Sequence, residues 1–288
     1  MMLRLLTACV LASFAAIVLT GWFRLARRAS TRSFRPPAPR RVALAMAAVV
    51  VAAVALLSPL DDLAHGLLLA HMVQHLLLTL VAVPLLLLAD PFPLVLWGLP
   101  RRVRQEAGPL LVSGAVVRRW GARLLAMPTA WGVAMATLAF WHVPAFHQRA
   151  LGSDALHVTQ HASFVASAAL FWWPVLSAAP RWRPAPGDGA RIVYLVTATF
   201  PGAALGLLLM LSPSVLYPAY AIDPRGGGLD ALADQAWAGF VMWAGAGTVE
   251  TFAALALVWR FLAAHEDPIT GASLTVLRPR ARMNRFGA

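Results

Sequence analysis

The stretch LLLAHMVQHLLLTLVAVPLLLL, residues 67–88, decides how the chain is read. About 20 apolar residues in a helix cross the hydrocarbon core of a bilayer, and this run is long enough. Yet it carries two histidines four residues apart, His71 and His75. Ionisable groups inside a membrane segment mark a functional site by default.

The surrounding sequence agrees with a membrane setting. The chain is 60% hydrophobic and only 12% charged, against roughly a quarter charged in soluble domains. The fold class expected is an all-α integral membrane protein, a bundle of seven transmembrane helices at about 3–23, 42–60, 63–89, 125–143, 155–178, 191–211 and 233–262. Residues 1–265 then form one seven-span domain and 266–288 an Arg-rich cytoplasmic tail. The apolar stretch 92–99 is short and flanked by prolines, so it is placed at the interface. Residues 109–117 are read as a short surface helix, and the polar segments 24–41 and 266–288 as mobile. The first span lacks a small-x-small cleavage site and is kept as a true span. Gly202 and Gly206 form a GxxxG spacing, a helix-packing signal.

The net charge is +12, and all 24 basic residues are Arg. Such a charge often points to nucleic acid. Here the arginines lie between apolar spans, so they orient the protein instead, and no nucleic-acid partner is expected. With seven spans, 21 of them fall on one side, leaving Arg4, Arg149 and Arg225 on the other. The positive-inside rule then puts the N-terminus outside and the C-terminus in the cytoplasm. The expected location is the bacterial cytoplasmic (inner) membrane, multi-pass.

On this map seven of the eight histidines lie at or near outward ends of spans; His265 is at the cytoplasmic end of the last. His71 and His75 share a helix face by their i,i+4 spacing, and His157 and His161 repeat it. At about 100° per residue, Asp61, His65, His71 and His75 fall within an arc of about 120°, and Asp154, His157 and His161 within about 60°. His142 closes the intervening span beside Trp141, and His147 follows it. Imidazole is the commonest protein ligand for zinc and copper, and an i,i+4 pair can chelate one ion. The candidate ligands are His71, His75, His142, His157, His161 and His65, with Met72 as a soft donor that favours copper(I). Asp61, Asp62, Asp154, Asp234, Gln235 and Trp141 are candidates to orient the rings. Met135, Met210 and Met242 are further thioethers within spans. Cys9, the lone cysteine, supports no disulfide framework or CxxC clip.

Plainer readings stand beside these. A single membrane histidine is often a hydrogen-bonding residue between helices, methionines in spans are mostly packing, and Asp61-Asp62 serves equally as a helix cap. Two HxxxH pairs and a third helix's histidine on one side favour a metal or cofactor site. Glu250, deep in the last span, is read as structural.

The segments HMVQHLLLTLVAVPLLLLADP, FWHVPAF, LHVTQHASFVASAALFWWPVL, LYPAYA and LADQAWAGFVMW, in this order through residues 60–262, resemble the multi-span CtaG family of cytochrome c oxidase assembly factors. That resemblance implies seven spans and a role in maturing a haem–copper oxidase, through copper delivery on the outer face of the membrane. It implies oxidase subunits as partners, and a periplasmic or extracytoplasmic copper donor. The family's histidines map to His71, His75, His142, His157 and His161, and its DQ element to Asp234 and Gln235. Two positions depart from the pattern: His147, where a non-histidine is expected, and Glu250, in a region expected to be apolar and Gly-rich.

The expected function is therefore an oxidase assembly factor, not an enzyme, that binds copper through an outward-facing histidine cluster and passes it on by ligand exchange. Two rivals stay open. One is a membrane zinc hydrolase with an activated water and a carboxylate base. The other is a haem-binding or haem-transfer protein with axial histidines.

Overall fold

The computed structural model describes residues 2–29, 37–110, 116–222 and 230–265, and every regular element among them is helical. Five helices are long and apolar enough to cross a membrane: Met2–Ala29, Pro39–Leu57, Leu68–Leu88, Asp188–Leu211 and Ala231–Ala263. Val116–Leu124 and Met127–His142, bent by 68° at their break, make a sixth if taken as one span. The expected span at 155–178 is a helix, Asp154–Leu176, whose 23 residues are enough to cross. Asp154, His157, Thr159, Gln160, His161, Ser163 and Ser167 make it more polar than the five. The expected seven therefore depend on including this histidine-bearing helix.

Other boundaries move for local reasons. The segment 24–41 is not one loop: the first helix runs to Ala29 and the second starts at Pro39, while 30–36 and the tail 266–288 lie outside the described residues. The expected surface helix at 109–117 falls mostly on 111–115, also outside them, between helices Arg101–Leu110 and Val116–Leu124. The stretch 92–99 is a helix, Pro91–Gly98, docked on the first helix. A Cβ on Gly21 would lie 1.8 Å from the Leu94 carbonyl oxygen, and one on Gly98 2.0 Å from that of Ile17, so only glycine allows the approach.

The expected span 63–89 is broken near its start. A short helix, Pro59–Ala64, is capped by Ser58 Oγ, which accepts the Leu60 N–H at 3.2 Å. The chain then restarts at Leu68. Asp234 accepts the Leu68 and Leu69 N–H groups at 2.7 and 3.0 Å, satisfying two donors that a helix start leaves free. Two residues past His75 the helix widens into a π-helical stretch, Leu77–Ala82. Pro84 has no N–H to donate back, and Trp172 Nε1 bonds the Thr79 carbonyl instead, at 3.1 Å. π-Helical turns are often found at functional sites.

Beneath the histidines a core of Val83, Leu87, Phe171, Trp172, Tyr194, Leu195 and Leu257 joins the helices at 68–88, 154–176, 188–211 and 231–265. The last two of these meet glycine to glycine. A Cβ on Gly206 would lie 2.7 Å from the Gly239 carbonyl oxygen, and one on Gly239 2.4 Å from that of Gly206. The packing pair is thus Gly206 with Gly239. Gly202 has nothing within 4 Å of its would-be Cβ and faces a cavity.

Charge separates the two ends of the bundle. At one, Arg41 and Arg181 reach Asp90 at 3.2 and 4.0 Å, and Arg191 and Arg260 reach Asp188 at 3.3 and 3.7 Å. Arg28 and Arg104 sit 4.2 and 4.3 Å from the Trp97 ring centre. At the other end, Arg4 bridges Asp61 and Asp62, and the histidines gather below.

Candidate metal centre

His71 stands at the middle of the cluster, fully buried. Its ring centre lies 4.4 Å from that of His75, 5.0 Å from His147, 5.3 Å from His157 and 6.1 Å from His161. His75 is 5.0 Å from His161, and His157 is 4.4 Å from His161. Helices 68–88 and 154–176 therefore present their two HxxxH pairs to each other. The short helix Pro144–Leu151 adds His147 from a third direction.

Nitrogens of His71, His157 and His161 all lie within 4.8 Å of one another. Two metal–imidazole bonds of about 2.0–2.1 Å span at most about 4.2 Å. Three nitrogens around one ion lie about 3.6 Å apart, so each moves inward by up to about 0.7 Å, within the reach of modest χ rotations. His65 caps the helix Pro59–Ala64 at the mouth, 5.4 Å ring to ring from His157.

Backbone carbonyls set the tautomers, because a carbonyl only accepts. His71 Nδ1 bonds Ala64 O at 3.3 Å, His142 Nδ1 bonds Leu138 O at 2.8 Å, and His65 Nδ1 bonds Asp61 O at 2.7 Å. Nδ1 thus carries the proton in these rings, and Nε2 keeps its lone pair for a ligand role. Most remaining nitrogens have no protein partner: His71 Nε2, both nitrogens of His75, and Nε2 of His142, His157 and His161 are buried and unbonded. Each such group costs about 1–3 kcal/mol of desolvation. So many in one place fit a site that a cation completes.

Several residues expected to orient the rings do other work. Asp61 spends its carboxylate on Arg4, at 2.9 Å, and on Gln74 Nε2, at 3.0 Å. Only its backbone oxygen meets a histidine, His65. Asp62 pairs with Arg4. Asp154 lines the outer mouth with Arg4, Asp61, Asp62 and His65 and bonds no ring. Asp234 caps residues 68–69. Gln235 accepts the Leu216 N–H at 2.6 Å and donates to Leu209 and Ser214 carbonyls at 3.3 and 3.1 Å. Both tie the last helix to the scaffold without touching an imidazole. Trp141 donates to Ser163 Oγ at 2.7 Å, holding helix 127–142 against helix 154–176. Met72 packs among Leu68, Leu209, Tyr217, Tyr220 and Met242 and reaches the histidines only across the cavity it lines with His75 and His142. His142 likewise belongs to that cavity rather than to the three-histidine group.

Sequence gives His147 no ligand role; in the structure its ring packs beside the cluster, 5.0 Å from that of His71. Pro144 starts a new helix after His142 and turns the chain back, seating His147 against His71, with Nε2 3.1 Å from Tyr220 Oη. Burial, helped by nearby His142, pushes its pKa down to about 3, so the ring is neutral near pH 7. Burial, with Asp234 adding to it, pushes the Tyr220 phenol up, so Tyr220 keeps the proton it shares with His147. The signal for this pair was FHQ at 146–148 with LYPAYA at 216–221.

Among known families, the one described as cytochrome c oxidase caa3 assembly factor matches residues 16–264. No curated protein and no solved structure matches the chain.

Proposed function

The chain belongs to the cytochrome c oxidase caa3 assembly factor family, and from that premise we propose that it serves oxidase maturation by holding a copper ion and passing it to an oxidase subunit. The observation that carries this is the meeting of buried, unpartnered imidazole nitrogens from separate helices. His71, His157 and His161 would hold the ion. His75 stands beside them as a fourth donor, and His147 is within reach of His71. The chemistry is ligand exchange rather than turnover. Neutral imidazoles accept and release copper without gaining or losing protons of their own. A shell closed only by small ring movements lets the ion go, as a carrier must. Of the two carboxylates that a hydrolytic site could use as base, Asp61 is already held by Arg4 and Gln74 and Asp154 lies out at the mouth and bonds no ring, which favours the carrier reading.

The test uses the full chain in detergent and in cells. Substituting His71→Ala or His157→Ala is expected to lower copper(I) affinity by at least about 100-fold, more than the usual loss on disturbing an outer-shell partner. Oxidase copper content should fall in the same cells while the protein still inserts. Normal oxidase copper in both variants contradicts the proposal.

The topology proposed is seven spans, counting Asp154–Leu176, in a bacterial cytoplasmic membrane, with the histidines toward the outside and the arginine end toward the cytoplasm. A C-terminal reporter should be active in the cytoplasm and an N-terminal one outside. The reverse pattern moves the site to the other face and removes access for an extracytoplasmic copper donor.

A further inference from the structure

Among the described residues, Glu250 is the one buried acid that nothing above uses. Its Oε2 is buried without a partner in the last helix. It lines a cavity of about 120 Å³ that reaches up to His75 and His142. On the same helix Met242, Ala246 and Glu250 face this cavity at i, i+4 and i+8, so Glu250 lies about 12 Å further along the axis than Met242. A water needs only about 10–15 Å³ of such space. The cavity therefore has room for several, and the unbonded atoms of His75, His142 and Glu250 are polar partners for them. Of the lining residues, His75 and His142 are the only other titratable groups. The remainder from helices 68–88, 127–142, 154–176 and 188–211 are apolar or, like Thr79 and Ser167, hydroxyl-bearing.

A cation bound by neutral imidazoles brings an uncompensated positive charge into the membrane interior. Charge there is weakly screened, and a carboxylate across a shared wet cavity is felt strongly. At the outer mouth Asp61 and Asp62 already face Arg4, and Asp154 lies in the open mouth, where water screens its charge, and bonds no ring.

We propose that Glu250 is the counter-charge of the histidine site, losing one proton when a soft monovalent cation is bound and regaining it on release. The balance is simple. The protonated carboxyl group becomes a carboxylate, the O–H bond breaks, the cation takes up imidazole lone pairs, and one proton passes through the cavity waters to bulk. No electron moves. The net charge of the membrane interior is then the same with the site loaded or empty. This inference rests on the copper reading and adds to it that metal exchange is coupled to proton exchange.

Silver(I) is a redox-inert probe of the same class. Its uptake by the purified full chain, in weakly buffered detergent near neutral pH, should release about one proton per ion, and its affinity should rise about tenfold per pH unit below the titration of Glu250. Glu250→Gln keeps the size of the side chain and should bind silver with no proton release and no pH slope. Glu250→Asp should restore the release. Silver binding by the wild type without proton release, or equal release from Glu250→Gln, overturns the inference and leaves the copper reading standing. No silver binding by the wild type overturns both.

Discussion

Replacing His75 with leucine is expected to weaken copper binding and oxidase maturation while making the copper-free protein harder to unfold. Both ring nitrogens of His75 are buried without a hydrogen-bond partner, and each carries a desolvation cost of about 1–3 kcal/mol. Leucine removes both, fills a similar space, and suits neighbours that include Phe164, whose ring centre is 4.6 Å from that of His75. A net gain of about 1–3 kcal/mol follows, read from unfolding of the copper-free protein in detergent. Copper(I) affinity, read by chelator competition, should fall by at least about 10-fold. Gain in stability with loss of function is the signature of a residue kept for its chemistry. A variant that unfolds more easily and still binds copper normally would make His75 an ordinary packing residue.

The second large effect lies far from any ring nitrogen. Gly239→Leu should prevent stable folding. Even the first carbon of the new side chain would fall 2.4 Å from the Gly206 carbonyl oxygen and 2.6 Å from the Met210 nitrogen. These are backbone atoms and cannot swing aside, so helices 188–211 and 231–265 must separate. The cost exceeds the roughly 1–3 kcal/mol of ordinary overpacking. It would also undo the seating of Asp234, which fixes the start of helix 68–88, and of Gln235, which holds Leu209 and Leu216. Gly202→Ala, with open space at its would-be Cβ, serves as the control and should fold normally. Equal yield and equal unfolding of Gly239→Leu and wild type would show that the two helices do not meet as described.

The two HxxxH pairs were readable in sequence because a helix enforces its own period: i,i+4 residues share a face whatever surrounds them. Which helices face each other is a tertiary fact, and the sequence carries little of it. His142, a natural third ligand by position in the chain, faces a cavity. His147, five residues later, turns into the cluster because Pro144 restarts the helix. Asp234 and Gln235 looked like ring-orienting residues, but the break before Leu68 leaves backbone N–H groups that need Asp234 more. That break is itself hard to see in an apolar run with no proline until Pro84. Gly202 and Gly206 satisfy a packing motif by spacing, yet only Gly206 has a partner, Gly239, because one face of the helix looks into the cavity. The span count suffers for the opposite reason. The histidines and other polar residues of Asp154–Leu176 lower its hydropathy, so a helix that carries two candidate ligands looks least like a membrane span.

The direct test of an ion shared by separate helices is X-ray absorption at the copper edge of the copper(I)-loaded, purified chain. The expected first shell is nitrogen, two or three imidazoles at about 2 Å, with ring scattering that disappears in a His71→Ala/His157→Ala double variant. A sulfur-dominated shell, or an imidazole shell left intact in the double variant, would contradict it.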